Sequence, residues 1–161
     1  MPNKKQLIDL IVTALAKELK QAIDAANEAH AAAVDDQSVA ETQYDTLAIE
    51  ASYLAEGLSK RVNEFQHAID AYTALEILEF DVDSYIALGA LVQLSADKQA
   101  KHWFFLGPAA GGFRFQLAEQ NITVVTPQSP MGMALLGKQQ DDDITMMLGV
   151  NKLEDYIAAL K

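Results

Sequence analysis

Two long stretches free of proline set the strongest limit on what this chain folds into. From Lys5 to about Ala33, apolar residues recur at Ile8, Ile11, Leu15, Leu19, Ala22, Ala26, Ala29 and Ala33. The steps are three or four residues, the spacing of a helix face that packs against another helix. From Val39 to about Leu78 the pattern returns at Tyr44, Leu47, Ala51, Leu54, Leu58, Val62, Phe65, Ile69, Tyr72 and Leu75. Only Gly57 interrupts it, at a cost of about 1 kcal/mol relative to alanine. Between the two runs, Val34 to Val39 reads VDDQSV, and Asp and Ser cap helix starts by accepting free amide N–H groups. Helices joined by so short a polar link fold back on each other. The expectation is an antiparallel coiled-coil hairpin over residues 1–78, with its tip at about 34–41. At about 1.5 Å per residue, thirty residues make a rod of roughly 45 Å. Helix one offers only alanine to the seam near the turn, which predicts a thin distal end; alanine's preference for helix is the competing explanation.

Charge along the hairpin is one-sided. The chain carries a formal net charge of −11. No Lys or Arg stands between Lys20 and Lys60, a stretch that holds Asp24, Glu28, Asp35, Asp36, Glu41, Asp45, Glu50 and Glu56. Surface helices ordinarily mix signs, because opposite charges one turn apart help and like charges hurt. A solvated acidic face accounts for such a run, and so does a negative end aimed at something positive. With no basic patch to release counterions, the chain is not expected to hold nucleic acid directly. The partner that suits it is a basic protein surface or a cation.

After Leu78 the apolar period shortens to two. Ile86 to Leu94, His102 to Leu106, Phe113 to Leu117 and Ile122 to Thr126 read as strands separated by turns at Ser95–Lys98 and Gly107–Gly112. Ser129 followed by Pro130 predicts a short helix, with Ser129 as N-cap and Pro130 in the first helical position. Gly137 ends it. Ile144–Leu148 and Leu153–Leu160 predict a last hairpin around Gly149, Val150 and Asn151. The fold class expected is α+β: the hairpin, then a five- or six-stranded antiparallel sheet over residues 79–161 with one short helix packed on it. Trp103, Phe104 and Phe105 are expected in its core.

Several chemistries are excluded. The chain has no cysteine, hence no disulfide, thiolate ligand or thiol nucleophile. His30, His67 and His102 are far apart and are not expected to form a metal site. No nucleophile elbow, phosphate loop or zinc-protease motif occurs. Asp141, Asp142 and Asp143 are expected to serve a surface turn. No membrane span and no secretory leader are read, which suits a cytoplasmic protein.

The segment Ser129 to Lys138, SPMGMALLGK, is followed by three aspartates and the strand Ile144–Leu148. It resembles the stretch near the end of the bacterial transcription elongation factors GreA and GreB, in which SP is followed by LxGK, acids and a strand. Ile86 to Leu94, IALGALVQL, resembles that family's FGxxVxL strand, and Leu153 to Ile157, LEDYI, its closing strand. Tyr44 and the Ala/Glu-rich helix after it resemble the part beyond the family's GDLxENAEY tip motif. The resemblance covers nearly the whole chain and is strongest over 86–148.

The resemblance implies an FKBP-like C-terminal domain and a coiled coil that enters the secondary channel of RNA polymerase. It implies an accessory factor with no catalysis of its own, which stimulates cleavage of backtracked transcripts. Tip carboxylates would act in the polymerase active centre, here Asp35, Asp36 and Glu41. Asp36 and Glu41 would share the polymerase's Mg, and the factor alone would need no cofactor. Ser129, Pro130 and Lys138 would meet the partner. A monomer is expected, with no sequence-specific binding to nucleic acid and no membrane. Carboxylates are hard oxygen donors suited to Mg²⁺, and two metals stabilise attacking and leaving oxygens together. The chain departs from the family at the tip. Aligned on Tyr44, the family's Asp and Glu fall on Gln37 and Ala40, with Asp36 and Glu41 one step outside. One step along a helix turns a side chain by about 100°. Two alternatives stay open: a channel-binding regulator that inhibits polymerase without cleavage, and a structural coiled-coil protein unrelated to polymerase.

Overall fold

The computed structural model describes the backbone of residues 2–37 and 42–161, and the side chains of 2–33 and 49–161. Helix α1 spans Lys4–Gln37 and α2 spans Thr42–Thr73. Strands β1 (Leu91–Leu94), β2 (His102–Leu106), β3 (Arg114–Leu117) and β4 (Gln120–Val125) come next, then helix α3 (Pro130–Leu135), β5 (Asp143–Leu148) and β6 (Asn151–Leu160). The architecture is an N-terminal helical hairpin and a mostly antiparallel sheet with one short helix, as the periodicities predict. Two compact units are formed: Met1–Val12 with Ala71–Lys161, and Thr13–Asp70.

Within Thr13–Asp70 the interior is small. On α1 the buried positions of this unit are Leu15, Ala22, Ala26, Ala29 and Ala33, which belong to the anticipated three-four series; Leu19 and, nearer the start of the helix, Ile8 are half-buried, and Leu7 is enclosed in place of Ile8. Helix α1 runs on through residues 34–37, so part of the expected tip is helical backbone. On α2 one assignment is overturned. Leu54, expected in the seam, is 58% exposed, and Ala55 beside it is buried. Ala51, Leu58, Val62, Phe65 and Ile69 are half-buried. One residue turns the side chain about 100°, so a seam through Ala51, Ala55, Leu58 and Val62 leaves Leu54 outside.

The sheet has strand order β3-β4-β2-β1-β6-β5. Four pairings are antiparallel. The fifth, β2 with β4, is parallel, with His102 opposite Asn121 and Leu106 opposite Val125. A uniformly antiparallel sheet is therefore corrected at this pair. Between β2 and β4 the chain must return to the same end of the sheet, and the loop plus β3 provides that return. Residues alternate between faces. One face buries Val92, Leu94, Leu106, Val125, Ile144, Ile157 and Leu160 with Ile86 and with Leu135 of α3. Leu91, Trp103, Phe105, Ile122 and Val124 are buried as well, and Phe104 packs at the edge of the core.

Close packing dictates two glycines. A Cβ on Gly107 would overlap the Tyr72 hydroxyl, and one on Gly132 would overlap the Thr126 carbonyl oxygen. Tyr72, 1% exposed, donates its hydroxyl to the Ala109 carbonyl at 2.6 Å. Burial pushes that phenol well above the ordinary tyrosine range, against the smaller opposing effect of the Ala109 hydrogen bond. Lys4, also buried, donates to the Leu78 carbonyl at 2.6 Å and lies 4.7 Å from the Phe80 ring centre.

Candidate functional site

The β domain presents its most distinctive surface around α3. Ser129 caps the helix as read from sequence: its hydroxyl accepts from the Gly132 amide at 3.0 Å and donates to the Thr126 carbonyl at 2.7 Å. The Ser129 side chain is thereby committed to the fold. Pro130 begins the helix and is exposed. Gly137, at φ +79, turns the chain out of the helix in a left-handed conformation that glycine adopts without strain. Gly137 then donates to the Ile86 carbonyl, and the Lys138 carbonyl accepts from the Ile86 amide, at 2.9 and 2.8 Å. This short bridge pins the segment before β1 to the segment after α3. Ile86 is buried beneath it, whereas Tyr85 (67%), Met133 (63%) and Leu136 (46%) remain exposed. Lys138 is exposed, and its ammonium has no hydrogen-bond or ion-pair partner among the described residues. Of the three partner-binding candidates, Pro130 and Lys138 are available at the surface.

The turn after α3 is built by its aspartates. The Asp142 carboxylate accepts from the Gln139 amide at 2.8 Å. The Asp142 carbonyl accepts from Ile157, and the Asp141 amide donates to the Ile157 carbonyl. Asp142 thus holds the turn and ties it to β6, which matches the surface-turn reading. No group of three or more metal-binding side chains occurs among the described residues.

Two further carboxylates hold loops. Asp97 accepts from the Lys101 and His102 amides, each at 2.7 Å. These bonds, that from His102 foremost, keep its carboxyl below the usual carboxylate range. Asp155 accepts from Ser95 Oγ and from the Tyr156 and Ala96 amides. Burial pushes Asp155 up, and these hydrogen bonds together outweigh it, so the net shift is downward.

On the hairpin, the backbone of Asp35 and Asp36 belongs to the last turn of α1. Their side chains, the side chain of Asp45 and all of Glu41 lie outside the described residues. The exposed acids that are described, Asp24, Glu28, Glu50 and Glu56, lie in the stretch between Lys20 and Lys60, and none of them forms a salt bridge among the described residues. The one salt bridge among the described residues is Lys152 with Glu154. Sequence reading missed the outward apolar residues Ile49 and Tyr53 of α2, 54% and 70% exposed. Their four-residue spacing was the available signal, but it runs beside the stronger seam pattern. No described helix is long and apolar enough to cross a membrane.

No family model matches the chain, and no curated protein matches it. Among solved structures, the transcription factor Gfh1 is 19% identical, over 92% of each chain, with a TM-score of 0.39. GreA factor homolog 1 (Gfh1) of Thermus thermophilus is 20% identical, over 93% of this chain and 94% of that one, with a TM-score of 0.36. Thermus aquaticus Gfh1 is 21% identical, over 92% of each chain, with a TM-score of 0.36.

Proposed function

We propose that this protein is a Gre-type transcription elongation factor that binds RNA polymerase through the secondary channel. The observation that carries this reading is a helical hairpin with no basic residue between Lys20 and Lys60, joined in one chain to a β domain that carries the SPMGMALLGK segment at its surface. Helix α1 has 34 residues, which at 1.5 Å each is about 50 Å of rod. Unneutralised acids on such a rod suit a basic channel with a cation at its far end. The exposed Tyr85, Met133 and Leu136 surface, with Pro130 and Lys138, suits docking on the outer rim of the enzyme.

In the fuller form of this reading, Asp35, Asp36 and Glu41 act within the polymerase active centre and promote cleavage of backtracked RNA. Asp36 and Glu41 are of the right donor type for the polymerase's own magnesium. That ion supplies the charge that activates water for phosphodiester hydrolysis. The protein presents ligands and has no enzymatic activity alone. A stalled, backtracked polymerase incubated with the protein is expected to release short 3′ RNA fragments. Fragment release no faster than in the factor-free control overturns the cleavage mechanism.

A second reading keeps the docking and replaces cleavage by occlusion. It is favoured by the tip sequence, in which Gln37 and Ala40 stand where the resemblance calls for acids, and by helical backbone through Gln37. It expects slower nucleotide addition and no fragments. Failure of core polymerase to retain the protein in a pull-down removes both readings and leaves a structural coiled-coil protein.

A further inference from the structure

The two edges of the sheet differ in how they meet solvent. Strand β3 lies at one end of the strand order and β5 at the other. An edge strand leaves a row of backbone N–H and C=O groups unpaired, and proteins blunt such rows with charge, proline, a bulge, shortness or a cover. Strand β3 has four residues, and its Arg114 and Gln116 are exposed. Strand β5 has none of these protections from Ile144 to Leu148. The stretch reads ITMML, without charge or proline. Its register with β6 runs unbroken from Asp143 opposite Tyr156 to Leu148 opposite Asn151. Thr145 is exposed, and so are Met147 and Leu148, at 58% and 53%.

That register fixes which groups point outward. Leu148 and Asn151 close the two-residue link Gly149–Val150, and the pair closing such a link is hydrogen-bonded. Bonded pairs recur at every second residue, so Ile144, Met146 and Leu148 turn their amides and carbonyls towards β6. The bond from the Ile157 amide to the Asp142 carbonyl keeps the same phase. Thr145 and Met147 turn theirs away from the sheet.

Such an edge complements itself. Place a second copy antiparallel, with the two-fold axis through Met146. Thr145 then stands opposite Met147 of the second copy, and Met147 opposite its Thr145, and each pair exchanges both of its backbone hydrogen bonds. On one face Leu148 meets Ile144 of the second copy, a residue of the domain core, so an exposed leucine extends that core. On the other face Glu154 flanks Thr145 and Lys152 flanks Met147. These two form an ion pair at 2.9 Å, so they add no net charge, and only their order along β6 matters. About Met146, each row runs from Glu154 of one copy to Lys152 of the other. An axis through Thr145 would align Glu154 with Glu154 and set Leu148 against Asp142. An axis through Met147 would align Lys152 with Lys152. Like charges across an interface are repulsive.

We propose that β5 is a homodimerisation edge, through which two copies join their sheets into one antiparallel sheet about Met146. The resemblance implies a monomer; the open edge instead makes a closed pair that leaves β5 of neither copy bare. This stands apart from the polymerase reading. The net charge of −11 opposes approach at long range and is screened by salt, so association strengthens as salt is raised.

Sedimentation equilibrium of the full chain, over a range of concentration and salt, is expected to show a monomer–dimer equilibrium. Thr145→Pro removes an outward donor and spares the β5–β6 bonds. Leu148→Asp leaves the backbone alone and puts an acid over Ile144 of the second copy. Each is expected to weaken dimerisation by roughly tenfold or more, with an unchanged circular-dichroism spectrum. The chain has no cysteine, so Met146→Cys supplies a single thiol. Its Cα would lie about 4.5 Å from its counterpart in a non-hydrogen-bonded pair, within disulfide range. Mild oxidation is therefore expected to yield a covalent dimer, and Glu119→Cys, beside the opposite edge, none. A monomer at every concentration overturns the proposal, and so does a dimer that both edge variants keep. Cross-linking no faster through Met146→Cys than through Glu119→Cys overturns it too. A chain that is monomeric alone, and held by core polymerase only while β5 is unaltered, also overturns it by naming a strand of the enzyme as the occupant.

Discussion

The β domain and the helical hairpin use their apolar residues in opposite ways. In the sheet, Leu91, Val92, Phe105, Leu106 and Val124 are wholly enclosed, and neighbouring groups leave no room for side chains at Gly107 or Gly132. In the unit Thr13–Asp70 the buried residues are Leu15 and five alanines, while Ile49, Tyr53 and Leu54 are exposed. Apolar burial supplies stability roughly in proportion to area, so the sheet has the larger intrinsic reserve. A region that buries little and exposes large apolar and acidic groups is suited to gaining stability from a partner.

Paired truncations test that contrast most severely. Phe105→Ala is expected to cost about 4 kcal/mol, the usual loss for an enclosed aromatic. Leu54→Ala is expected to change stability by no more than about 0.5 kcal/mol. Urea unfolding of the full chain checks both, and comparable losses would break the comparison. Next in size is Gly132→Ala. Its Cβ would overlap the Thr126 carbonyl oxygen, which calls for backbone displacement and a loss of about 3 kcal/mol. Gly57→Ala, with open space at the Cβ among the described residues, is expected instead to stabilise by up to about 1 kcal/mol. The same denaturation series reads the opposite signs.

Acid is expected to act on the sheet through Asp97 and Asp155. Both carboxyls are held below their ordinary value in the folded state. A depressed folded pKa contributes stability that is complete above the unfolded value, near pH 4, and is lost as pH falls through the folded value. The urea midpoint should therefore drop between about pH 5 and pH 2. In an Asp97→Asn, Asp155→Asn double variant that drop should shrink, and an unchanged drop would exclude these loops as its source. A small gain is expected at the β3–β4 turn. Ala118 and Glu119 sit there at φ +50 and +63, a left-handed pair that glycine adopts with least strain. Glu119→Gly should raise stability by about 1 kcal/mol, seen as a higher thermal midpoint.

Much of the β domain was legible because its signals are local. Ser129, Pro130 and Gly137 bracket α3 through capping chemistry that acts within one turn, and the alternation in β5 and β6 survives around a two-residue link. The β3–β4 turn was harder to read, since Ala118 and Glu119 carry none of the residues that ordinarily mark a left-handed pair. At the candidate site, Pro130 and Lys138 were found as surface residues, and Ser129 proved to be spent on the helix cap. Met133, Leu136 and Tyr85 were not singled out, because exposure of an apolar residue depends on which side of its element the core takes.

By itself, the sequence determined two long helices, the alanine stripe from Ala22 to Ala33, the capped short helix and the closing hairpin. Each arises from a backbone period or a hydrogen bond between near neighbours. Tertiary structure alone decided the parallel pairing of β2 with β4, the strand order, and the choice of Ala55 over Leu54 for the seam. These depend on which distant surfaces meet. A periodicity of three to four residues fixes that a helix has a buried face, and only the shape of the facing element fixes which of two adjacent residues lies at its centre.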